Sequence, residues 1–316
     1  PVHILFSGDL GPDNKILQSA PEQPQGLDYI VVESTYGDRE RVRVTHRQRR
    51  DILRQEILDA LTVKGNIIIP AFAVERTQEL LLDLDWLIDH GELPEVPLFI
   101  DSPLATKVTG VFDKYHCEME DLAGEKCPFH GRNIRYTSSV EDSKNLARIK
   151  SGAIIMAASG MCEAGRIRYH LKQNLWNPHA TILFAGYQAE GTLGRFIRDG
   201  AKRVRIQGEE IDVKARIRSL DHYSAHADQK ELVAWVKACL PVAKNIFLTH
   251  GTEDARLVFQ QRLAEAGINP MLIIKPSIDE EFALNGLTAQ KIESGKPRIT
   301  PVEMAATDWH NDYARF

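Results

Sequence analysis

The sequence predicts an α/β fold built on parallel strands with helices on both sides. Three observations predict it. Short apolar runs recur along the chain, among them Ile67-Ile-Ile69, Ile154-Ile-Met156 and Ile182-Leu-Phe184. They lack polar alternation, as strands buried on both faces do. Turns of small residues and helix-length amphipathic segments lie between them, so the repeating unit is strand, turn, helix.

Taken in order, residues 2–6 read as a buried strand ended by Ser7-Gly8-Asp9. Residues 12–26 hold three prolines and finish on Gly26, which reads as a loop. Residues 27–33 form a second strand, followed by Ser34-Thr-Tyr-Gly-Asp38. The character changes near Thr45. A helix over 45–61 leads to a strand at 65–70, and a helix follows over 74–90 with Leu80, Leu81, Leu84, Leu87 and Ile88 at helical spacing. Next come a strand at 96–101 with Ser102 opening a helix, and a strand at 152–158 with a turn to residue 165 and a helix over 166–175. A strand at 180–185 runs into the glycine-rich turn 186–194. Residues 202–220 alternate apolar and charged (Val204, Ile206, Ile211, Val213, Ile217) and predict antiparallel strands returning to the first domain. A helix over 228–240, a strand at 244–249, a helix over 253–266 and a strand at 271–275 complete the pattern. The expected domains are therefore a first segment 1–45, an insert 46–200, a second segment 201–275 and a C-terminal extension 276–316. In that extension Trp309 and Tyr313 are expected to pack back or to meet a partner chain.

The 316 residues are enough for two domains with a large core. A net charge of −5 argues against a broad basic surface but leaves room for a local basic cleft. Four cysteines, Cys117, Cys127, Cys162 and Cys239, form no Cys-x-x-Cys pair. They read as free thiols in a reducing compartment, with a Cys117–Cys127 bridge as the alternative. No apolar run reaches membrane-span length and no signal peptide is present, so no membrane partner is expected. The chain begins almost directly on an apolar run at Pro1, without an initiator Met, and reads as the later part of a longer protein. Assembly of identical chains is left open.

Chemistry-bearing residues gather at strand ends. Asp9 and Glu33 each close an apolar run, where an acid alone is more often a turn former or helix N-cap. His226 in Ser224-Ala-His-Ala-Asp228 and His250 in Thr249-His-Gly251 stand in small-residue turns after strand-like segments. A lone histidine there is usually a hydrogen-bonded surface residue, but two in such turns suggest a site. Carboxylate with imidazole suits zinc or manganese. Such ions activate water, and a pair of them about 3.5–4 Å apart stabilises both oxygens of a phosphoryl displacement. The insert supplies anion-binding turns, Ser159-Gly160 among them, and cations beside such turns at Arg76, Lys107 and Arg195. Phe72 or Tyr187 could stack on a base. The competing reading pairs these cations with acids such as Glu75 or Glu190. The clusters Arg39–Arg43 and Arg47–Arg50 read as solvated helix faces.

Eight stretches, in order and spanning the chain to about residue 275, carry a resemblance. They are Phe6-Ser-Gly-Asp-Leu-Gly11, Val32-Glu-Ser-Thr-Tyr-Gly37, Pro70-Ala-Phe-Ala-Val-Glu-Arg-Thr-Gln-Glu-Leu80, Asp101-Ser-Pro-Leu-Ala105, Ala158-Ser-Gly-Met-Cys162, Gly186-Tyr-Gln-Ala-Glu-Gly-Thr-Leu-Gly-Arg195, Ser224-Ala-His-Ala-Asp228 and Thr249-His-Gly251. The chain resembles the β-CASP branch of the metallo-β-lactamase superfamily, the group of ribonuclease J, the pre-mRNA 3′-end processing endonuclease and the bacterial RNA-specific metallo-hydrolases. The resemblance implies part of a metallo-β-lactamase αββα sandwich with an inserted β-CASP domain, and RNA hydrolysis in the cleft between the two. By position it implies metal ligands at Asp9 and His250, a catalytic His226 and an orienting Glu33. It implies RNA or phosphate contacts at Arg76, Lys107, Ser159, Gly160, Arg195 and Ser224.

The family's His-x-His-x-Asp-His run and the ligand histidine before the Asp9 motif are absent. His3 and His222 match no family ligand and read as structural. Two zinc ions are expected in the intact parent, with manganese as the alternative. A chain that matches only two ligands should be metal-poor and cleave little, since zinc takes at least three protein ligands. Two alternatives remain: a non-catalytic module that binds RNA or a protein, and a DNA-repair nuclease.

Overall fold

The structure, a computed structural model, describes residues 2–13, 15–119 and 129–292. Trp309, Tyr313, Cys127 and the tail from residue 293 onward lie outside the described residues.

The chain begins with β1 (Ile4–Phe6) and β2 (Leu27–Glu33). It continues through α1 (His46–Thr62), β3 (Ile67–Pro70), α2 (Arg76–Asp89), β4 (Leu98–Ile100), α3 (Pro103–Tyr115), β5 (Ile134–Tyr136), α4 (Val140–Asn145) and β6 (Ile154–Ala157). Then come α5 (Ile167–Asn174), β7 (Thr181–Ala185), α6 (Leu193–Arg198), β8 (Arg203–Ile206), β9 (Glu209–Asp212) and β10 (Arg216–Leu220). The last elements are α7 (Gln229–Ala238), β11 (Val242–Thr249), α8 (Glu253–Glu265), β12 (Ile273–Ile274), β13 (Glu281–Ala283) and β14 (Gln290–Ile292). Among the described residues these form two compact units. One holds the chain to Val42 and from Ala225 onward; the other holds Arg43–Ser224.

The Arg43–Ser224 unit is a six-stranded sheet, order β10-β7-β3-β6-β4-β5, parallel at every pairing. Alternation explains why its strands are apolar throughout. Ile67, Ile69, Ile154, Met156 and Leu183 face one core with Leu53, Leu80 and Leu84 of α1 and α2. Ile68, Ile155, Ile182 and Phe184 face a second core with Ile167, Leu171 and Ile197 of α5 and α6. Both faces are covered, so no position along the central strands meets water.

The other unit has a four-stranded parallel sheet, order β1-β2-β11-β12. Its core packs Ile30, Val32, Ile246 and Leu248 against Leu232 and Val236 of α7 and Phe259 and Leu263 of α8. An antiparallel hairpin, β13–β14, follows.

Four expectations are corrected. The first strand is not buried: among the described residues β1 pairs only with β2, at the sheet edge, and Phe6 is 70% exposed. The alternating stretch 202–220 does not return to the first unit. Here β8 and β9 pair with each other, and β10 extends the six-stranded sheet by parallel pairing with β7. Alternation reports which side chains face water, not which strand is the neighbour. The Arg47–Arg50 cluster is not a fully solvated face either. Arg49 is 5% exposed and, with Arg50, donates to the buried Asp83 carboxylate at 2.8 Å. Nor do residues 39–43 form a helix; they are loop, and Arg41 is folded inward. Cys117, Cys162 and Cys239 are free thiols. No helix of the described residues is long and apolar enough to cross a membrane.

Candidate active site

Parallel register creates the site. In register, Phe6 lies beside Val31, and Glu33 lies beside Thr249. Parallel strands end at the same sheet edge, so the turns after β1, β2 and β11 emerge together. Asp9, Glu33 and His250 are carried there from distant parts of the chain.

Glu33, the last residue of β2, is fully buried. Its Oε1 accepts the Leu10 N–H at 2.6 Å and its Oε2 the Thr35 N–H at 3.3 Å. His226 Nδ1 lies 3.1 and 3.0 Å from the two oxygens. Burial alone would raise the Glu33 carboxyl. The hydrogen bond and charge of His226, with the Thr35 and Leu10 contacts, outweigh it and hold the carboxyl below its ordinary value. An ionised carboxylate only accepts, so the Nδ1 facing it carries the proton.

The His226 backbone is pinned as well. Its carbonyl accepts from Arg41 Nη2 at 2.5 Å, and the next residue, Ala227, donates its N–H to Leu10 O at 2.6 Å. Asp228 then caps α7 through the Glu231 N–H at 3.0 Å. The Tyr36 ring meets the imidazole edge-on at 6.1 Å, and the Arg41 guanidinium lies 5.3 Å from that ring's centroid.

His250 follows β11 at φ +54° and Gly251 at φ +72°. Ser34 Oγ donates to the carbonyls of Thr249 at 2.7 Å and His250 at 3.1 Å, which fixes this turn. A Cβ on Gly251 would stand 2.4 Å from Ser34 O, so only glycine fits. His250 Nδ1 lies 3.3 Å from Asp9 Oδ1, and both side chains are more than half exposed. Asp9, Glu33 and His226 each offer a donor atom within 4.8 Å of the others. Glu33 is nonetheless engaged by two backbone N–H groups and the imidazole, which suits it to orienting His226 rather than to binding an ion. The open donors are Asp9 and His250, and in kind they suit zinc or manganese. Among the described residues these open donors are two, and zinc takes at least three protein ligands.

The residues expected at phosphate divide into groups, all in the Arg43–Ser224 unit. The chain leaves β3 toward β4 on one side and β7 toward β10 on the other. Such divergence between neighbouring strands opens a crevice at their carboxyl ends. Arg76 starts α2 there, and its Cζ lies 3.8 Å from where a Cβ on Gly186 would stand; the Ser224 backbone is equally close. Arg76 is buried and lies 3.8 Å from Glu79. Ser159 and Gly160 form a tight turn against the Phe72 ring. The Ser159 N–H there is donated to Ala164 O at 3.0 Å, so the turn does not present it to an anion. Lys107 is exposed on α3, and Arg195 on α6 pairs with Asp199 at 2.5 Å.

Two family models match the chain: the Beta-Casp domain at residues 77–197 and the Zn-dependent metallo-hydrolase RNA specificity domain at 210–273. Ribonuclease TTHA0252 of Thermus thermophilus is 36% identical over 274 residues, which cover 84% of this chain and 61% of that protein. The chain belongs to the β-CASP metallo-hydrolases. An RNase J-like protein of Methanocaldococcus jannaschii is 30% identical over 257 residues, 81% of this β-CASP chain and 60% of the relative. Transcription termination factor FttA of Methanosarcina mazei is 27% identical over 264 residues, 80% of this chain and 41% of the relative. The chain thus spans about three-fifths or less of these relatives.

Three contacts were not legible as such, two beside His226 and one within the Arg43–Ser224 unit. Tyr36 lay in a matched motif but had no assigned role, and Arg41 was hidden in a charge cluster. Asp101, also in a matched motif, is fully buried and accepts from Ser143 Oγ at 2.6 Å, Arg166 Nη1 at 2.7 Å, His170 Nε2 at 2.6 Å and Thr137 Oγ1 at 2.5 Å. That set of donors ties β4, α4 and α5 together.

Proposed function

We propose that the chain is the greater part of a metal-dependent ribonuclease of RNA processing or decay, which hydrolyses phosphodiester bonds. The observation that carries this reading is the buried Glu33–His226 pair beside the open Asp9–His250 pair. Asp9 and His250 are the metal ligands this chain contributes. Zinc, when bound, supplies Lewis acidity and an activated water. Glu33 holds His226 with Nδ1 protonated, which leaves Nε2 as the nitrogen that serves the leaving oxygen. Arg76 and Ser224 engage substrate phosphate at the strand crevice, with the Ser159 hydroxyl, Gly160, Lys107 and Arg195 as further contacts. RNA rather than DNA is the substrate, by the RNA specificity model and the ribonuclease names of the relatives. We read residues 1–42 and 225–275 as the metallo-β-lactamase portion, 43–224 as the insert, and the cytoplasm as the compartment.

The test is cleavage of labelled RNA and of the matching DNA by the intact protein with zinc or manganese. RNA is expected to be cut and DNA spared, and His226→Ala is expected to abolish cutting. An intact protein that cuts neither would overturn the proposal. A second reading, a non-catalytic RNA-binding module, is favoured by the two-donor count. Zinc analysis of the 316-residue chain decides it. Two tightly held ions per chain would remove that reading, and trace zinc is the outcome expected for this chain alone.

A further inference from the structure

Outside the residues discussed so far, the Arg43–Ser224 unit has a cavity of about 400 Å³ between α6, β8 and the turn before α5. Its size suits a ligand of one nucleotide. Its lining combines apolar Leu193, Phe196, Ala201 and Val204 with the cations Arg168, Arg203 and Arg205 and the acid Glu163.

Several features of this cavity point to an unpaired nucleotide. Phe196 is 41% exposed at its edge, an aromatic face left to solvent where a base could stack. Residues 195–205 hold Arg195, Arg198, Lys202, Arg203 and Arg205 against Asp199 alone, a local excess of positive charge in a chain of net charge −5. The arginines are set differently. Arg168 is buried and donates to Glu163 O at 2.8 Å. Arg203 is steered by Asp212 at 2.9 Å and Glu210 at 3.5 Å. Arg205 is exposed and has no ion pair among the described residues, so its guanidinium is available to a phosphate. The cavity also adjoins the turns expected at substrate. Glu163 belongs to the turn that begins at Ser159, and its carboxylate accepts the Leu193 N–H at the end of the turn that begins at Gly186.

We infer that this cavity is a second RNA subsite, which takes one unpaired nucleotide of a strand, its base against Phe196 and its phosphate at Arg205 beside Arg203. The inference rests on the ribonuclease reading and adds to it a grip on single-stranded RNA within the Arg43–Ser224 unit. Paired RNA is excluded because its bases are stacked within the helix.

The experiment is fluorescence anisotropy of a short labelled oligoadenylate with the 316-residue chain across a salt series. Phe196→Ala is expected to weaken binding roughly fivefold or more, from the loss of one base stack. Arg205→Gln is expected to reduce the slope of log affinity against log salt by about 0.7, one phosphate contact. Ultraviolet crosslinking should attach RNA to the peptide spanning 193–205, and a duplex competitor should not displace the oligoadenylate. Both side chains are exposed, and matching thermal melts would confirm intact folding. Unchanged affinity, unchanged salt slope and no crosslink in this peptide would overturn the subsite while the ribonuclease reading stands. A wild-type chain that binds no oligoadenylate would remove the RNA reading itself, and the subsite with it.

Discussion

Glu33→Gln is the most direct probe of the site, because it exchanges one acceptor oxygen for an NH2 donor. The wild-type carboxylate accepts from Leu10 N–H at 2.6 Å, from Thr35 N–H at 3.3 Å and from His226 Nδ1. A glutamine amide has one oxygen to offer. The shortest contact, to Leu10, keeps the oxygen, so the NH2 group turns toward Thr35 and His226. The Thr35 N–H then faces a donor, and His226 Nδ1, 3.0 Å from the new NH2 and 3.1 Å from the retained oxygen, is expected to become an acceptor, which moves its proton to Nε2. The loss of charge-assisted hydrogen bonds at a buried carboxylate costs about 2 kcal/mol. For a unit of this size that is a fall in melting temperature of roughly 5–10 °C. Long-range nitrogen–proton NMR of labelled imidazole should show the Nδ1–H form in the wild type and the Nε2–H form in Glu33→Gln. Urea denaturation should give the stability difference. In the intact protein, cleavage should fall about a hundredfold or more, as the wrong tautomer does in other acid–histidine pairs. An unchanged tautomer together with a stability loss under about 0.5 kcal/mol would refute the orienting role, since the contact would then carry neither charge nor direction.

Asp83→Ala should destabilise by about 3–5 kcal/mol in urea titrations, because it strands the buried Arg49 and removes the acceptor of the Tyr223 hydroxyl at 2.7 Å. A loss below about 1 kcal/mol would show that the network relaxes around the gap. Gly251→Ala should cost about 2 kcal/mol or more, from the positive φ and the contact with Ser34 O, and should halve or worse the metal uptake of the intact protein through His250. Asp101 sets a pH dependence. Burial would raise its carboxyl, but the hydrogen bonds of His170, Ser143, Thr137 and Arg166 outweigh burial and hold it well below the ordinary value. Its folded value lies under its unfolded one, so its stabilisation is complete above about pH 4 and is lost as pH falls below that. Wild type should therefore exceed Asp101→Asn in stability at neutral pH, and the gap should narrow in acid; a constant gap in chemical denaturation would contradict this account.

Much of the fold is legible because it is local. A run such as Ile67-Ile-Ile69 can only be a strand hidden on both faces, and the Leu80–Leu87 spacing can only be a helix with one buried side. Asp9, Glu33, His226 and His250 stand out for the same reason, since each follows a local pattern that stops. The sequence does not state which strand lies beside which. Residues 216–220 alternate like an antiparallel return, yet they join β7 in parallel, because main-chain hydrogen bonding is blind to side-chain alternation. Charge is equally ambiguous from the sequence: Arg49 and Arg41 look like solvated cations until Asp83 and the His226 carbonyl, far away in sequence, are found beside them.

The sequence by itself marked most of the strands and helices, though not elements such as β5, α4 or the β13–β14 hairpin, and singled out Asp9, Glu33, His226 and His250 as candidates. Only the tertiary structure decided that Glu33 stands beside Thr249 in parallel register, that two backbone N–H groups and His226 converge on its carboxylate, and that Arg76 sits where the strand connections diverge. Periodicity is a property of neighbours along the chain. Register, ion pairing and the desolvation of a charge depend on neighbours in space.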